Sequence, residues 1–493
     1  MAEPERAQGE GEGWSFEALD EAARRMEADE AEQRAYEARC HARQQAEDAW
    51  VDEVVCEQEA IAAAKAAAKA AAGGARLASE SGADESASHF SASLEVLGLC
   101  LTAEGAPQGG GRGVAARRPF AAGQVLLRAA PAAAVLREGA AATRCHHCFR
   151  RAASLRVCGG CRFSRYCGGA HQRLAWRSHR RECAMLQKTA RRVPGASVRL
   201  LARLMQLGRE AAAEEGGGGS WAQSAAAVWA LRSQLGEQPE ERRRAFEEQA
   251  AMLCALLHEI EPDSPPPSPR LGAELLSIIS LNAHTIFDDE LQDIGIGLYP
   301  IAALTNHSCA PSAVHTFDGD EIVLRSLSNL PAGSLVHIPY IELAECTPSR
   351  RAFLEEAYLF TCCCTRCSQV ETADAVAAVK QAAADLRRSR ELELAAIDSG
   401  NWGEALVHSR ASCALAEKLY PVGAPALGLA KVRLGKLCAH AEQLEEAVRH
   451  WRAGLSILSI SHGDASELVE QTARSLREVE LELSVAHRAG GDE

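Results

Sequence analysis

Two stretches of the chain concentrate thiols and imidazoles at spacings that a metal ion uses. The first, "CHHCFRRAASLRVCGGCRFSRYCGGAHQRLAWRSHRREC" (145–183), holds two C-x2-C pairs, Cys145/Cys148 and Cys158/Cys161, then Cys167, His171, His179 and Cys183. Cys167/His171 and His179/Cys183 are each spaced i, i+4, so a helix would set both members of a pair on one face. Eight nitrogen and sulfur ligands make two closed tetrahedral sites, the arrangement of structural zinc, with no open position for catalysis. Thiolates held this way would pin a segment too short to form its own core, coupling metal binding to folding. His146 and His147 stand outside the ligand set. The second stretch, "TCCCTRC" (361–367), carries Cys362, Cys363, Cys364 and Cys367. Its spacing leaves open which of the four bind and whether a ligand arrives from elsewhere.

A third constellation has polar rather than thiol chemistry: "GIGLYPIAALTNHSCAPSAVHTFDGDEIVLRSLSNLPAGSLVHIPYIEL", beginning at Gly295. Asn306-His307-Ser308-Cys309 taken alone is a turn or a Cys/His nucleophile pair, and Tyr340 taken alone is a core tyrosine at a strand end. "TFDGDEIVLRSL" reads as a hairpin around Asp318-Gly319, and "LPAGSLVHIPY" as a turn leading into a strand that ends at Tyr340. Upstream, Gly111-Arg112-Gly113 offers a backbone that a ligand can approach closely.

The elements that must position these groups follow from composition and periodicity. At 493 residues, 47% hydrophobic and 24% charged, the chain has more than one domain. A net charge of −14 argues against a phosphate-backbone binder by bulk charge. No apolar run is long enough to span a membrane, and the N-terminus lacks the pattern of a secretory signal. Eighteen cysteines without a secretory signal indicate metal binding rather than disulfides. Residues 1–95 form an acidic, Ala-rich arm, helical or disordered, and "GGGRGVAARRPFAAGQVLLRAAPAAAV" suggests β-hairpins within 96–144. Residues 184–270 are helical and end in the linker "EPDSPPPSPR"; 271–345 mix strands and turns, 346–370 carry the cysteine tail, and 371–493 are helical. "NWGEALVHSRA" and "QLEEAVRHWRA" repeat weakly, as paired helices of the tetratricopeptide sort do, against an alternative of an unrelated helical bundle.

The block 145–183, with Tyr166 before Cys167, Gln172 after His171 and Trp176 before His179, resembles the MYND zinc finger, although that family usually has cysteine where His171 stands. "LTNHSCAPS" resembles the NHSC motif of SET-domain protein lysine methyltransferases, and "GRGV" followed by "FAAGQVLL" resembles that fold's opening. A MYND finger between two parts of a SET domain is the layout of the SMYD subfamily, and the resemblance runs over about 96–493. It implies an α+β fold: a SET domain split by the finger (145–183) and a helical insert, a zinc-bound post-SET tail and a tetratricopeptide-like C-terminal domain. It also implies interleaved metal sites in the finger, Cys145, Cys148, Cys167 and His171 in one, Cys158, Cys161, His179 and Cys183 in the other. Spacing alone leaves a sequential pairing open.

Carried over residue by residue, Gly111, Arg112 and Gly113 would hold the methionine moiety of S-adenosylmethionine, and Asn282, Asn306 and His307 its polar groups. Phe360 would lie against the adenine, Tyr340 would be the catalytic tyrosine, also touching cofactor, and Tyr358 would line the lysine channel. The family's C-x-C-x2-C tail selects Cys362, Cys364 and Cys367, with Cys309 as the fourth ligand of a third zinc. Cys363 is then left over, against a rival set in which it replaces Cys362. Pro339 departs from the small or polar residue usual before that tyrosine. The implied activity is S-adenosylmethionine-dependent methyl transfer to the lysine amine of histone or non-histone proteins, in cytoplasm or nucleus, by a monomer. The rivals are a catalytically weak SET/MYND scaffold that recruits partners in transcriptional regulation, and a DNA-binding zinc regulator. Ten arginines against Glu182 alone in 144–183 would give the finger a basic surface for DNA or for acidic or proline-rich peptides.

Overall fold

The computed structural model describes residues 90–102 apart from Ala92, 112–189, 192–213 and 220–489. The expected arm up to residue 89, Gly111 and most of the Gly-rich insert lie outside them. Twelve strands run in chain order among these residues: β1 (Leu99–Thr102), β2 (Gly113–Ala116), β3 (Val125–Ala129), β4 (Ala133–Leu136), β5 (Arg156–Val157), β6 (Arg165–Tyr166), β7 (Ala283–Phe287), β8 (Asp293–Leu298), β9 (Asn306–His307), β10 (Ala313–Asp318), β11 (Glu321–Ser326) and β12 (Leu335–Ile338). Eleven α-helices accompany them: α1 (Gly169–Lys188), α2 (Ala196–Ala213), α3 (Ser220–Trp229), α4 (Glu240–Ile260), α5 (Pro269–Asn282), α6 (Thr347–Tyr358), α7 (Ala373–Asp398), α8 (Trp402–Leu419), α9 (Pro425–His440), α10 (Leu444–Ser461) and α11 (Glu467–Ala489). This is an α+β architecture, with the strands packed as small sheets and the helices gathered in the insert and the C-terminal part.

The strand β12 organises the site. It pairs antiparallel with β2 through Leu335↔Ala115 and Val336↔Val114, and parallel with β9 through His337↔Asn306 and Ile338↔His307. One four-residue strand therefore sits between the segment that follows Arg112 and the Asn306-His307 motif, and its chain runs straight on to Tyr340. β12 ends at Ile338 rather than at Tyr340. Pro339 thus falls past the strand, where a missing N–H costs no ladder bond.

The tract expected as β-hairpins makes only one, β1 with β2. β3 pairs instead with β11, and β4 with β8, so β2, β3 and β4 enter three different sheets. Apolar alternation marks a strand but not its partner, and the partners here come from some 160 or more residues later in the chain. The hairpin expected around Asp318-Gly319 is β10–β11, closed by Gly319-Asp320 with Gly319 at φ +68°. The Pro-rich linker runs to Ser268, whose hydroxyl accepts the Leu271 N–H and caps α5, with Pro269 at the first helical position. The expected boundary at 271 therefore lies inside that helix.

A continuous core joins the sheets to α2, α3, α4 and α5, with Val135, Leu136, Leu200, Leu201, Leu275 and Leu298 all inaccessible or nearly so. Burying each such side chain is worth about 1.5–3 kcal/mol before chain entropy is charged against it. The C-terminal helices form two hairpins, α7/α8 and α9/α10, followed by α11, around Leu406, Cys438, Trp451 and Leu458. The related segments of the sequence open α8 at Trp402 and α10 at Leu444.

The β10–β11 turn also seats the finger. A Cβ on Gly319 would stand 2.5 Å from the Cys148 carbonyl oxygen. Arg150 beside it pairs with Asp318 at 2.8 Å. Gly319→Ala should therefore lower unfolding stability by about 2 kcal/mol, from left-handed strain plus the clash. The urea midpoint followed by circular dichroism reads this, and an unchanged midpoint would show that the turn does not hold the finger.

Candidate active site and its metal centres

The eight finger ligands gather as two interleaved sets. Cys145, Cys148, Cys167 and His171 offer ligand atoms all within 4.8 Å of one another, and so do Cys158, Cys161, His179 and Cys183. Helix α1 brings His171, His179 and Cys183 into these sets, and the short β5–β6 hairpin carries the Cys158/Cys161 pair in its turn and Cys167 directly after β6. The third set is Cys309, Cys362, Cys364 and Cys367, within the same 4.8 Å, while Cys363 is exposed. Cys363 thus turns away and Cys362, 2% exposed, turns in.

The geometry of the sulfurs fits zinc. A tetrahedron with Zn–S bonds of about 2.3 Å has edges of roughly 3.8 Å. Cys158 and Cys183 sulfurs are 3.8 Å apart, and those of Cys309 and Cys367 3.5 Å. Four thiols at such distances cannot all ionise beside one another unless a cation lies among them.

Two of the three sets have a charge that answers them. His179 turns Nε2 toward Cys161 at 3.6 Å, while its Nδ1 lies 3.0 Å from a Glu182 carboxylate oxygen. That is the carboxylate–histidine arrangement that fixes a ligand's tautomer. Glu182 is itself buried, and Arg203 donates to it at 2.7 and 2.9 Å, with Arg199 at 3.6 Å. Burial opposes the charge of Glu182, but Arg203, His179 and Arg199 outweigh it and hold the carboxyl far below its usual range. The same two arginines donate to carbonyls of β4, Arg203 to Ala134 and Arg199 to Leu136, each at 2.6 Å. The finger is thereby bonded to the sheet through α2. At the third set, buried Arg350 approaches the Cys367 sulfur at 3.5 Å, and Arg351 donates to the Cys362 and Cys367 carbonyls. A tetrathiolate zinc site carries a net charge of −2, and Arg350 is placed to offset part of it.

Tyr340, Tyr358, His307 and Phe360 converge beside this third set. The Tyr340 hydroxyl donates to the Thr305 carbonyl at 2.6 Å, and the Tyr358 hydroxyl to the Tyr340 carbonyl at 3.4 Å. The two phenol rings lie 5.0 Å apart. Burial raises both phenol pKa values, so both stay protonated at neutral pH. The Tyr340 backbone N–H donates to His307 Nδ1 at 3.0 Å, and burial pushes His307 down to about 4, so its ring is neutral. Phe360 lies 6.1 Å from the His307 ring. Asn306 donates from Nδ2 to the Arg112 carbonyl at 3.2 Å, which ties the glycine segment to the NHSC motif. Arg112 sends its guanidinium to the Ala230 carbonyl, and Asn282 spends Nδ2 on Ile278. Tyr358 and Phe360 reach this place because α6 ends at Tyr358, Leu359 turns left-handed at φ +62°, and the cysteine tail follows at once.

The stretch 145–183 matches the MYND finger family. "Histone-lysine N-methyltransferase SMYD3" of Mus musculus is 26% identical over 419 residues, covering 76% of this chain and 96% of that protein. "Histone-lysine N-methyltransferase ASHR1" of Arabidopsis thaliana is 28% identical over 470 residues, covering 78% and 96%. "N-lysine methyltransferase SMYD2" of Gallus gallus is 31% identical over 267 residues, covering 54% and 59%. Over about three quarters of its length the chain is similar to SMYD-type lysine methyltransferases.

In this chain the finger's arginines are mostly occupied at home. Arg144 and Arg151 face Asp288, Arg150 faces Asp318, Arg177 and Arg180 face Glu210, and Arg181 faces Glu261. Arg156, Arg162, Arg165 and Arg173 lack a carboxylate partner among the described residues, so the basic surface is smaller than the composition suggests. Sequence reasoning missed Thr305, Glu182, Arg199, Arg203 and Arg350 as supporting residues. The signal for one group was present: Arg199 and Arg203, spaced i, i+4 in the apolar helix "VRLLARLMQL", need a buried acid, and Glu182 is the finger's single one.

Metal analysis by mass spectrometry should give three zinc ions per chain, falling to two in Cys362→Ser and staying at three in Cys363→Ser. The reverse pattern would put Cys363 in the third set.

Proposed function

We propose that this protein is a SMYD-type protein-lysine N-methyltransferase that uses S-adenosylmethionine (EC 2.1.1.-). The observation that carries the reading is the convergence, around the NHSC motif, of two half-buried protonated tyrosines with the Thr305 carbonyl and the glycine segment. The residues fit the cofactor by the chemistry of their donors and acceptors. The Thr305 carbonyl and the Tyr340 oxygen suit the polarised hydrogens of a sulfonium-bound methyl group. Gly113, the Arg112 backbone, Asn282, Asn306, the His307 backbone and Phe360 are the groups that would hold the rest, together with Gly111. When bound, S-adenosylmethionine supplies an electrophilic methyl group on a positively charged sulfur.

The chain's own contribution is alignment and desolvation, since a methyl displacement needs no protein nucleophile. A lysine amine has an ordinary pKa near 10.4 and must arrive without its proton. Tyr340 and Tyr358 form an aromatic wall that removes water and so disfavours the ammonium form. With its proton committed to Thr305, the Tyr340 hydroxyl keeps lone pairs for accepting, and so orients rather than protonates. Tyr358, through the Tyr340 carbonyl, fixes the spacing of the two rings.

The substrate is a protein with an exposed lysine, with histones among the candidates, and no helix among the described residues is long and apolar enough to cross a membrane. The four finger arginines that lack a carboxylate partner among the described residues suit an acidic peptide more than a long DNA backbone, which needs many phosphate contacts. Proline-rich peptides are a further partner class for the finger, and cytoplasm or nucleus the compartment.

Purified zinc-loaded protein should transfer labelled methyl from S-adenosylmethionine to lysine in a mixture of cell proteins. Tyr340→Phe should lower that rate about 100-fold with zinc content unchanged. Absence of transfer by the wild-type protein to any protein of the mixture, or an unaffected Tyr340→Phe rate, would contradict this function.

A further inference from the structure

His307 has both ring nitrogens in use, and neither use is toward a cofactor. Nδ1 accepts the backbone N–H of Tyr340 at 3.0 Å. A nitrogen that accepts carries no proton, so in the neutral ring the proton is on Nε2. Nε2 stands 3.2 Å from the sulfur of Cys309, a normal distance for N–H donating to sulfur. Cys309 is fully buried and belongs to the third metal set with Cys362, Cys364 and Cys367. The imidazole thus spans from a metal ligand to the residue proposed to orient the methyl transfer. Backbone pairing fixes both of its ends: Ile338 lies in register with His307, and the Ser308 N–H donates to the Ile338 carbonyl. The ring also packs 5.3 Å from the Tyr340 ring.

We propose that His307 is a positioning residue, a strut of fixed tautomer that registers Tyr340 against the Cys309 corner of the third zinc site. This rests on the methyltransferase reading. A zinc-bound thiolate is an electron-rich acceptor for Nε2–H, so a loaded site holds the ring. The held ring offers Nδ1 to the Tyr340 N–H and pins the backbone from which the hydroxyl reaches Thr305. Other contacts anchor the region, but among the described residues this is the side chain that bonds the metal set and the Tyr340 backbone together.

Two substitutions separate the ends of the strut. Asparagine sets an acceptor near the Nδ1 position but cannot reach Cys309; glutamine sets an amide donor near the Nε2 position but leaves the Tyr340 N–H without Nδ1. The test uses full-length protein, with zinc for kinetics and with cadmium-113 replacing zinc for magnetic resonance. His307→Asn should lower kcat less than His307→Gln does, and shift the cadmium resonance of the four-cysteine site while leaving the two finger resonances in place. His307→Gln should leave all three resonances near their wild-type positions and lower kcat by up to roughly 100-fold, the cost of a misplacement of about 1 Å, with the KM for protein substrate little changed. Equal losses of kcat in both variants, or an unmoved four-cysteine resonance in His307→Asn, would overturn the strut. Loss of the third metal from both variants would reduce His307 to a general structural role and also overturn it. If wild-type protein transfers no methyl group, the methyltransferase reading fails, while the cadmium spectra still report on the contact to Cys309.

Discussion

Four sulfurs drawn within 4.8 Å of one another join two segments of chain that lie more than fifty residues apart in sequence. Cys309 belongs to the loop after β9, and Cys362, Cys364 and Cys367 belong to the tail after α6. Zinc at this point closes a loop of more than fifty residues, and everything placed between its ends inherits the constraint. Tyr358 and Phe360 lie immediately before the three tail cysteines, so the metal sets their distance from the NHSC motif. Buried Arg350 and the two carbonyl contacts of Arg351 answer the charge and fix the course of the tail. Removing Arg350 would leave a buried anionic site poorly compensated, which costs several kcal/mol in comparable settings.

The finger is fastened to the core by a different means. Its second metal set passes through His179 to Glu182, and from Glu182 to two arginines of α2 that end on carbonyls of β4. A carboxylate with this burial is stable only because three positive or donating groups surround it. The surface of the finger is tied down by arginines that meet Asp288 and Asp318 on the sheets. Net charge over a block of sequence therefore said little about what the finger shows to solvent, because the compensating acids lie outside the block, from Glu210 on α2 to Asp318 on β10.

Much of the site was legible because chemistry leaves rigid spacing in the sequence. Metal ligands must be close in space, and C-x2-C and i, i+4 pairs achieve this locally, so the eight finger ligands were recoverable one by one. The Asp318-Gly319 turn and the Ser268-Pro269 helix start were legible for the same reason: a left-handed φ and an orphan helix N–H each demand a small set of residue types. Strand partners were not legible. Alternation identifies β2, β3 and β4 as strands, but their pairing with β12, β11 and β8 is decided by core packing across the whole chain. Supporting charges such as Arg350 were hidden too, because nothing near them in sequence distinguishes a buried arginine from an exposed one. Gly111 lies outside the described residues, so the glycine segment is seen from Arg112 onward.

The central claim is that metal at the four-cysteine set shapes the cofactor site without taking part in the reaction. Calorimetric titration of S-adenosylhomocysteine into zinc-loaded wild-type protein and into Cys364→Ser protein that retains both finger zincs tests it most directly. The account predicts saturable binding to the first and affinity weaker by at least about tenfold, or about 1.4 kcal/mol, in the second. Equal affinity in the two proteins would contradict it.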